Sequence, residues 1–344
     1  MRKGVWIAML LVAAAGLAAE EPATRPAGQN EATSQPASVL VQLRAKALAA
    51  GFNPLVEELA LGEIDWTEGV ILAKGRGKAT GSSAREVALA KQAARTVAMR
   101  NAALLATGVR VDADGRFPDI KDGHVASQVF VKDAKVLSAV YEPDSRTATV
   151  AVEVPLYGVS GLVKTTNVSF KPVRGRTWDW LGEGLGGDAD VVIIDARGIQ
   201  FAPCVGPCIV TDSGERIFGP GDVPAGEIQK RGMVLYVFMK DTGVRRDAKS
   251  IVVRPLALAR AVTAQAGRVD PELQGMAQKG FDSPVVLVAE STLEKSRGTI
   301  VLTSAATKEL TIRGEARQLM QAGKIVIVTD TTRVQPQRRE KADE

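Results

Sequence analysis

The clearest hydrophobic pattern in the chain predicts a long helix that begins at Ser83. Ser83 and Glu86 form an S-x-x-E capping box, in which both residues satisfy backbone N–H groups that the first helical turn leaves exposed. Gly108 is a natural C-terminal end for this helix. One helical face is made of apolar or small residues: Val87, Ala90, Ala94, Val97 and Leu104. Because this face includes small Ala residues, we expect the helix to approach a sheet closely.

The segments before and after this helix predict a small sheet. A strand begins at Gly69, and a short amphipathic helix over residues 39–50 precedes it. After the long helix, residues 125–140 and 147–156 alternate between apolar and polar positions on either side of a turn at 142–145, which predicts a hairpin. A strand, a long helix and an antiparallel hairpin form an α+β layer, with the helix on one face of the sheet.

The second half of the chain alternates short apolar segments with turn residues. Strands are expected at 190–195, 208–211, 216–218, 233–239, 250–253, 285–289, 299–303 and 324–328. A helix is expected over about 305–322, interrupted at Gly314. The predicted fold class is therefore α+β, with an N-terminal long helix packed on a small antiparallel sheet and a second mixed α/β domain.

These elements define two folded regions, a helix-on-sheet domain over 39–170 and a mixed α/β domain over 190–330. The Gly-rich segment 171–189 is expected to be a linker, in which Trp178 and Trp180 dock on a neighbouring domain or, alternatively, stack on a ligand. Residues 20–38 are rich in Pro, Ala, Thr, Ser and Glu, and are interpreted as a disordered tether or an unimportant terminal segment. Residues 331–344 form a charged tail.

The first residues have the order of a secretory signal peptide. Arg2 and Lys3 precede an uncharged apolar run over 5–17, and small residues follow at 16–18. The run is shorter than the about 20 apolar residues that a membrane-spanning helix needs, although an uncut signal anchor is the alternative. No Cys lies near the cleavage site, which excludes lipid attachment there. We therefore expect a signal peptide over 1–19 and a periplasmic or secreted protein without a transmembrane segment after cleavage.

Composition excludes one class of partner. The formal net charge is +5, and removal of Arg2 and Lys3 would leave +3. Nucleic-acid binding calls for a concentrated basic stripe interleaved with aromatic residues, but charges of both signs are scattered along the chain. Nucleic acid is therefore not an expected partner.

Gly75, Gly77, Lys78 and Gly81 form a candidate ligand turn between a strand and the long helix. A Gly-rich segment at this place can hold phosphate groups on a helix N-terminus. A dinucleotide fingerprint needs a following parallel strand, however, and here an antiparallel hairpin follows. The phosphate loop of nucleoside triphosphatases is excluded because Ala79 follows Lys78. The alternative, which we prefer, is that the glycines permit a bulge and close helix approach.

Cys204 and Cys208 are the only cysteines and form a candidate disulfide. An oxidising compartment would favour the bond, and the alternative is a pair of buried thiols. A redox site would normally show C-x-x-C at a helix N-terminus. Zinc would need further ligands, and the single histidine, His124, lies in a predicted loop.

No catalytic, cofactor-binding or metal-binding residue is predicted. Asp188, Asp190 and Asp195 flank one predicted strand and suggest a cation site, but carboxylates in such positions more often cap strand ends. The G-x-S-x-G sequence of a nucleophile elbow is absent from the chain. The expectation is that the protein is not an enzyme and needs no cofactor.

Motifs of small residues in the first unit carry a family resemblance. They are Gly75, Gly77 and Ala79 in the strand; Ala90, Ala94, Ala98 and residues 100–102 in the helix; G-V-x-V at 108–111; and V-x-V-P-L at 152–156. This unit resembles the bacterial envelope domain shared by a small outer-membrane lipoprotein family and the N-terminal domain of flagellar assembly protein T. The segments 192–203, 209–219 and 254–261 are similar to a region often seen downstream of that domain.

The resemblance implies a periplasmic or outer-membrane-associated protein, usually of uncharacterised function. In the flagellar case it implies a structural role in the periplasmic ring of the motor. The chain lacks the acylated Cys of the lipoprotein members.

We therefore expect a non-catalytic envelope protein that acts as a structural, assembly or interaction module. Its partner would be another envelope protein or a second copy of itself. A periplasmic small-ligand-binding protein is the alternative, and a redox or hydrolytic enzyme is a third hypothesis.

Overall fold

The computed structural model describes residues 39–111, 134–165, 189–240, 252–253, 270–293, 296–302, 306–307, 310 and 314–330. Several predictions fall on residues outside these ranges: the signal peptide, the tether, nearly all of the linker, the charged tail, and the side chains of His124, Trp178, Trp180 and Asp188.

The described strands are β1 Asn53–Pro54, β2 Val56–Leu59, β3 Gly62–Asp65, β4 Val70–Lys78, β5 Lys135–Glu142, β6 Thr147–Pro155, β7 Val191–Asp195, β8 Cys208–Thr211, β9 Arg216–Phe218, β10 Leu235–Phe238, β11 Val252–Val253, β12 Pro284–Leu293, β13 Ser296–Leu302 and β14 Ile325–Thr329. The described helices are α1 Val39–Ala50, α2 Ala84–Gly108, α3 Leu162–Thr165, α4 Ala225–Arg231, α5 Pro271–Gly280 and α6 Gly314–Gln321. These elements confirm the predicted α+β fold class.

The smaller sheet is antiparallel and has the strand order β2-β3-β4-β6-β5. Helix α2 packs on one of its faces, where alternate residues of β4 and β6 are buried with the alanines of α2. The capping box of Ser83 and Glu86 is present at the start of α2, as the sequence predicts. The other face of this sheet carries half-buried and exposed residues.

The predicted buried face of α2 is partly wrong. Ala90 and Ala94 are buried, but Val97 and Leu104 are exposed, and further alanines with Leu105 complete the contact. The helix lies so close to β4 that side chains larger than a methyl group do not fit along the centre of the contact. The larger apolar residues are therefore displaced toward the exposed flanks of the helix.

The larger sheet has the order β1-β10-β14-β7-β12-β13-β8-β9, and β11 also pairs with β12. Strands β10, β14, β7 and β12 run parallel to one another. Every residue of β7 and of β14 is buried, which is typical of parallel strands with both faces covered.

Helices α1 and α5 cover one face of the larger sheet. Leu43 and Ala47 of α1 and Leu273 of α5 belong to the same hydrophobic cluster as alternate residues of the parallel strands. From the sequence, α1 is expected in the same domain as the smaller sheet, whereas the structure places it on the larger sheet. The hairpin of β2 and β3, helix α4 and helix α5 were not predicted.

The opposite face of the larger sheet shares one hydrophobic core with the smaller sheet. Trp66 from the turn after β3 packs edge-on against Tyr236 of β10, with ring centroids 5.9 Å apart. Thr67 Oγ1 donates a hydrogen bond to the Tyr236 carbonyl at 2.6 Å and accepts one from the Leu55 N–H at 2.8 Å. Apolar packing and buried hydrogen bonds therefore join the two sheets.

Candidate functional site

The glycines of the candidate ligand turn lie in a strand. Gly75, Gly77 and Lys78 belong to β4, where Lys78 is exposed and Gly75 is buried. A Cβ atom added at Gly75 would overlap the carbonyl oxygen of Ala94, and one at Gly77 would overlap that of Ala90. The packing agrees with the interpretation that these glycines permit close helix approach, but β4 pairs with β6 in regular register here, without the expected bulge. Gly75, Gly77 and Lys78 lie in the strand and not in a turn.

The N-terminus of α2 is capped by the protein's own carboxylate. The Glu86 side chain accepts hydrogen bonds from the Ser83 N–H at 3.1 Å and from the Ser83 hydroxyl at 2.6 Å. A Cβ atom at Gly81 would lie 2.5 Å from Glu86 Oε2. Hydrogen bonds from Ser83, with a further one from Thr80, lower the pKa of Glu86. The Glu86 carboxylate thus occupies the N-terminus of α2, where a bound phosphate would be expected. We therefore assign residues 75–86 to helix packing and helix capping.

Cys204 and Cys208 are both buried thiols, and no disulfide joins them in the described structure. The Tyr236 hydroxyl donates a hydrogen bond to the Cys204 carbonyl at 2.8 Å, which holds this segment against β10. The candidate disulfide stays a prediction.

The aspartates near β7 are used within the protein. Asp190 accepts hydrogen bonds from the N–H groups of Asp282 and Ser283 at 3.2 and 3.1 Å. Asp195 forms an ion pair with Arg197. The described residues contain no cluster of three His, Cys, Asp or Glu side chains suited to a metal ion. Asp190 therefore caps the segment directly before β12, which agrees with the alternative interpretation that these carboxylates cap strand ends.

A buried ionic cluster that the sequence analysis missed lies at the carboxyl end of β7. Arg197 donates to Asp195 Oδ1 and Oδ2 at 2.9 and 3.0 Å, and to Asp270 Oδ2 at 2.9 Å. Burial alone would lower the pKa of the Arg197 guanidinium, but the two carboxylates outweigh it and raise the pKa above its ordinary value. Asp270 is also the N-cap of α5. No sequence signal joins Asp270 to Asp195, because the two residues are far apart in the chain.

The carboxyl ends of parallel strands are where open α/β sheets usually bind ligands. Here the three side chains are 2–8% exposed and bond to one another. The cluster therefore ties the segment after β7 to the start of α5, and it leaves no space for a ligand among its own charges.

A cleft of about 220 Å³ opens where α1, the turn after β3 and α4 meet. Arg44 of α1 and Glu68 of the turn form an ion pair of 2.6 Å within its lining. Its lining also includes two further cations, Lys230 and Arg231, and two aromatic residues, Trp66 and Tyr157. The volume is below the about 300–1,000 Å³ of pockets that hold drug-sized ligands, so only a small molecule fits. Lys230 and Arg231 both form ion pairs with Glu227, outside the lining, and three cations against Glu68 within the lining favour an anion.

The most exposed apolar surface on a strand is the outer edge of the smaller sheet, which we call the β5 edge (Lys135–Glu142). Strand β6 alternates regularly between half-buried and buried positions, whereas seven of the eight residues of β5 are exposed. Val136, Leu137 and Val140 are 38, 46 and 56% exposed. Among the described residues, β5 pairs with β6 alone. One row of its backbone N–H and C=O groups is thus available to another strand.

A β-bulge interrupts the pairing of β5 with β6. Val136 pairs with Val152 and Ser138 pairs with Ala151, so Leu137 is an additional residue on β5. A bulge changes which side chains share a face from that point onward. The sequence pattern identified a strand here, but the bulge depends on pairing with β6 and was not predictable from alternation alone.

Comparisons with known proteins cover part of the larger sheet. Residues 191–331 match the family described as the second domain of Treponema pallidum Tp0624, so this part of the chain is similar to that domain. No curated protein is significantly similar to the chain. No helix among the described residues is both long enough and apolar enough to cross a membrane.

Proposed function

We propose that the protein is a non-catalytic, exported protein of the bacterial envelope that acts as an interaction module through its β5 edge. The observation that carries this proposal is the exposure of three apolar side chains on a strand that, among the described residues, is paired along one edge alone. An open edge provides backbone hydrogen bonds for an added strand, and its side chains provide specificity.

The middle of the β5 edge carries no charged side chain and no Pro. Natural sheets guard their edges with charged side chains, Pro, very short strands or β-bulges, and of these the middle of β5 has the bulge at Leu137. Strand β5 has eight residues, and its charged residues, Lys135 and Glu142, stand only at its ends. An exposed apolar strand of this kind favours a specific partner over permanent exposure to water.

The location is proposed from the leader-like N-terminus and from the resemblance to envelope and flagellar assembly domains. The similarity to the Treponema domain is compatible with this proposal and names no partner. Expression of the full-length chain in its native host should give an envelope protein without residues 1–19. Recovery of the protein in the cytosol with Met1 attached would refute the location.

Site-specific photo-crosslinking in living cells tests the interaction. A photoreactive residue at Val140, in the middle of the β5 edge, should give one or a few defined protein adducts. The matched control is Val159, which is 83% exposed and lies outside the β5 edge. Equal adduct formation at the two positions, or none at Val140, would contradict the proposal.

The cleft supports a second candidate function, the binding of a small anion. Lys230 is largely exposed, and Arg44 is partly exposed beside Glu68. Phosphate or a small carboxylic acid should raise the melting temperature of the protein, and Lys230→Glu should reduce that increase. No increase with any such anion would remove this candidate.

A further inference from the structure

The bulge in β5 has a consequence for its two charged ends. Seven positions separate Lys135 from Glu142, and in a regular strand an odd separation places two side chains on opposite faces. Here Lys135 pairs with Glu153 and Glu142 pairs with Thr147. Glu153 and Thr147 occupy the same face of β6, because their separation is even and β6 shows no bulge between them. The additional residue, Leu137, therefore brings Lys135 and Glu142 onto one face.

From this geometry we infer that the partner of the β5 edge is a second copy of the chain, paired antiparallel through the same edge. The inference rests on the proposed function and names the partner at that site. An antiparallel copy brings the basic end of β5 opposite the acidic end of its partner. A parallel copy would place like charges opposite each other, which destabilises a strand pair.

In one register, the paired side chains of the two copies lie on the same face of the sheet along the whole strand. Val136, Ala139 and Tyr141 lie on the face of the sheet on which α2 packs, since they pair with the buried residues Val152, Val150 and Ala148 of β6. Placing Ala139 on the two-fold axis keeps every pair on a common face, with Leu137 bulged in both copies. The resulting pairs are Ala139 with Ala139, Ser138 with Val140, Val136 with Tyr141, and Lys135 with Glu142.

The charges in this register alternate across three strands. Lys135 Nζ already lies 3.7 Å from Glu153 Oε1 within its own chain, and 70% of the Lys135 side chain is exposed. In the dimer, Glu142 of the other copy approaches Lys135 from the side opposite Glu153. The order acid, base, acid then occurs twice, once on each side of the axis.

The symmetry also keeps both α2 helices on the same side of the joined sheet, because the axis is perpendicular to the sheet. The eight residues of β5 span about 27 Å at a rise of about 3.4 Å per residue. A contact along one strand is smaller than the about 800 Å² per partner of standard interfaces. We therefore expect a dimer that exchanges with monomer on dilution.

Cysteine cross-linking of the purified full-length chain tests the register. Direct cross-strand neighbours have Cβ atoms about 4.5–5.5 Å apart, so Ala139→Cys should form a covalent dimer with a short bifunctional thiol reagent. Val159→Cys is the matched control at an exposed position outside the edge. The wild-type chain controls for Cys204 and Cys208, which are buried. No more cross-linking at position 139 than in the two controls would overturn the register.

Charge reversal tests the antiparallel arrangement by sedimentation over a concentration series. Lys135→Glu or Glu142→Lys alone creates two like-charge contacts per dimer and should weaken association about tenfold. The double variant restores both contacts and should return the dissociation constant to within about threefold of wild type. Because Lys135 also faces Glu153, the melting temperature of each variant serves as the control for folding. No recovery in the double variant would overturn the antiparallel pairing.

The outcomes separate this inference from the proposed function. A wild-type chain that stays monomeric at every concentration overturns the second copy as partner. A photo-crosslink from Val140 to a different protein does the same, while it supports the proposed interaction module. A cross-link from Val140 to another copy of the chain supports both.

Discussion

Removal of the guanidinium at Arg197 is the most informative perturbation of the larger sheet. Arg197 is 2% exposed and makes three charge-assisted hydrogen bonds, two to Asp195 and one to Asp270. Arg197→Met keeps much of the apolar stem and removes the charge. Two carboxylates then stay buried without the Arg197 guanidinium, and removal of one partner is the costly way to break a buried ion pair.

Loss of one partner from a buried ion pair costs about 3–5 kcal/mol. Domains of ordinary stability unfold with about 5–15 kcal/mol, so the variant should lose about a fifth or more of the total. With a urea m-value of about 1–3 kcal/mol per molar, the unfolding midpoint should fall by at least about 1 M.

Urea unfolding followed by tryptophan fluorescence measures this loss. Arg44→Met is the matched control, because Arg44 forms an ion pair of 2.6 Å with Glu68 but is 27% exposed. Exposed pairs contribute about 0–1 kcal/mol. A loss below about 1 kcal/mol at neutral pH would refute the reasoning.

Two further substitutions test the packing of α2 and the buried turn after β3. Gly77→Ala should destabilise the protein by about 1–3 kcal/mol, as overpacking usually does, because the new methyl group overlaps the Ala90 carbonyl. The control in the same unfolding measurement is Gly108→Ala, whose new methyl group has nothing within 4 Å. Equal destabilisation by the two substitutions would contradict close packing of α2 on β4. Asp65→Asn should raise the melting temperature at neutral pH. Burial raises the pKa of Asp65 and outweighs the hydrogen bonds from Glu68 and Thr67, which lower it. The ionised carboxylate therefore destabilises the folded state once the pH exceeds the unfolded carboxyl pKa of about 3.9. Below that pH the two proteins should melt alike, and a lower melting temperature of the variant at neutral pH would contradict this prediction.

Local signals identified much of the smaller sheet correctly. The capping box at Ser83 and the end at Gly108 predicted α2 with bounds that the structure confirms. Alternation predicted β6 because one face of that strand is buried and the other is not. These features depend on residues close together in the chain, so the sequence alone expresses them.

Features that depend on contacts between distant segments escaped prediction. The exposed positions of Val97 and Leu104 follow from the short distance between α2 and β4, which helical spacing does not express. The bulge at Leu137 follows from the register of β5 on β6. Arg197 has one partner two residues away and another, Asp270, on a separate element. In each case a tertiary contact decides which of several locally acceptable arrangements occurs.

The place of β14 in the larger sheet constrains how the protein reaches its native state. The strand Ile325–Thr329 is the last described strand of the chain, yet it lies between β10 and β7 in the middle of the parallel strands. Until it inserts, β7 and β10 have no hydrogen-bonded neighbour on their shared side, and their largely apolar residues stay open to water. Folding of this sheet during synthesis must therefore wait for residue 329, and the nascent chain needs protection from aggregation until then.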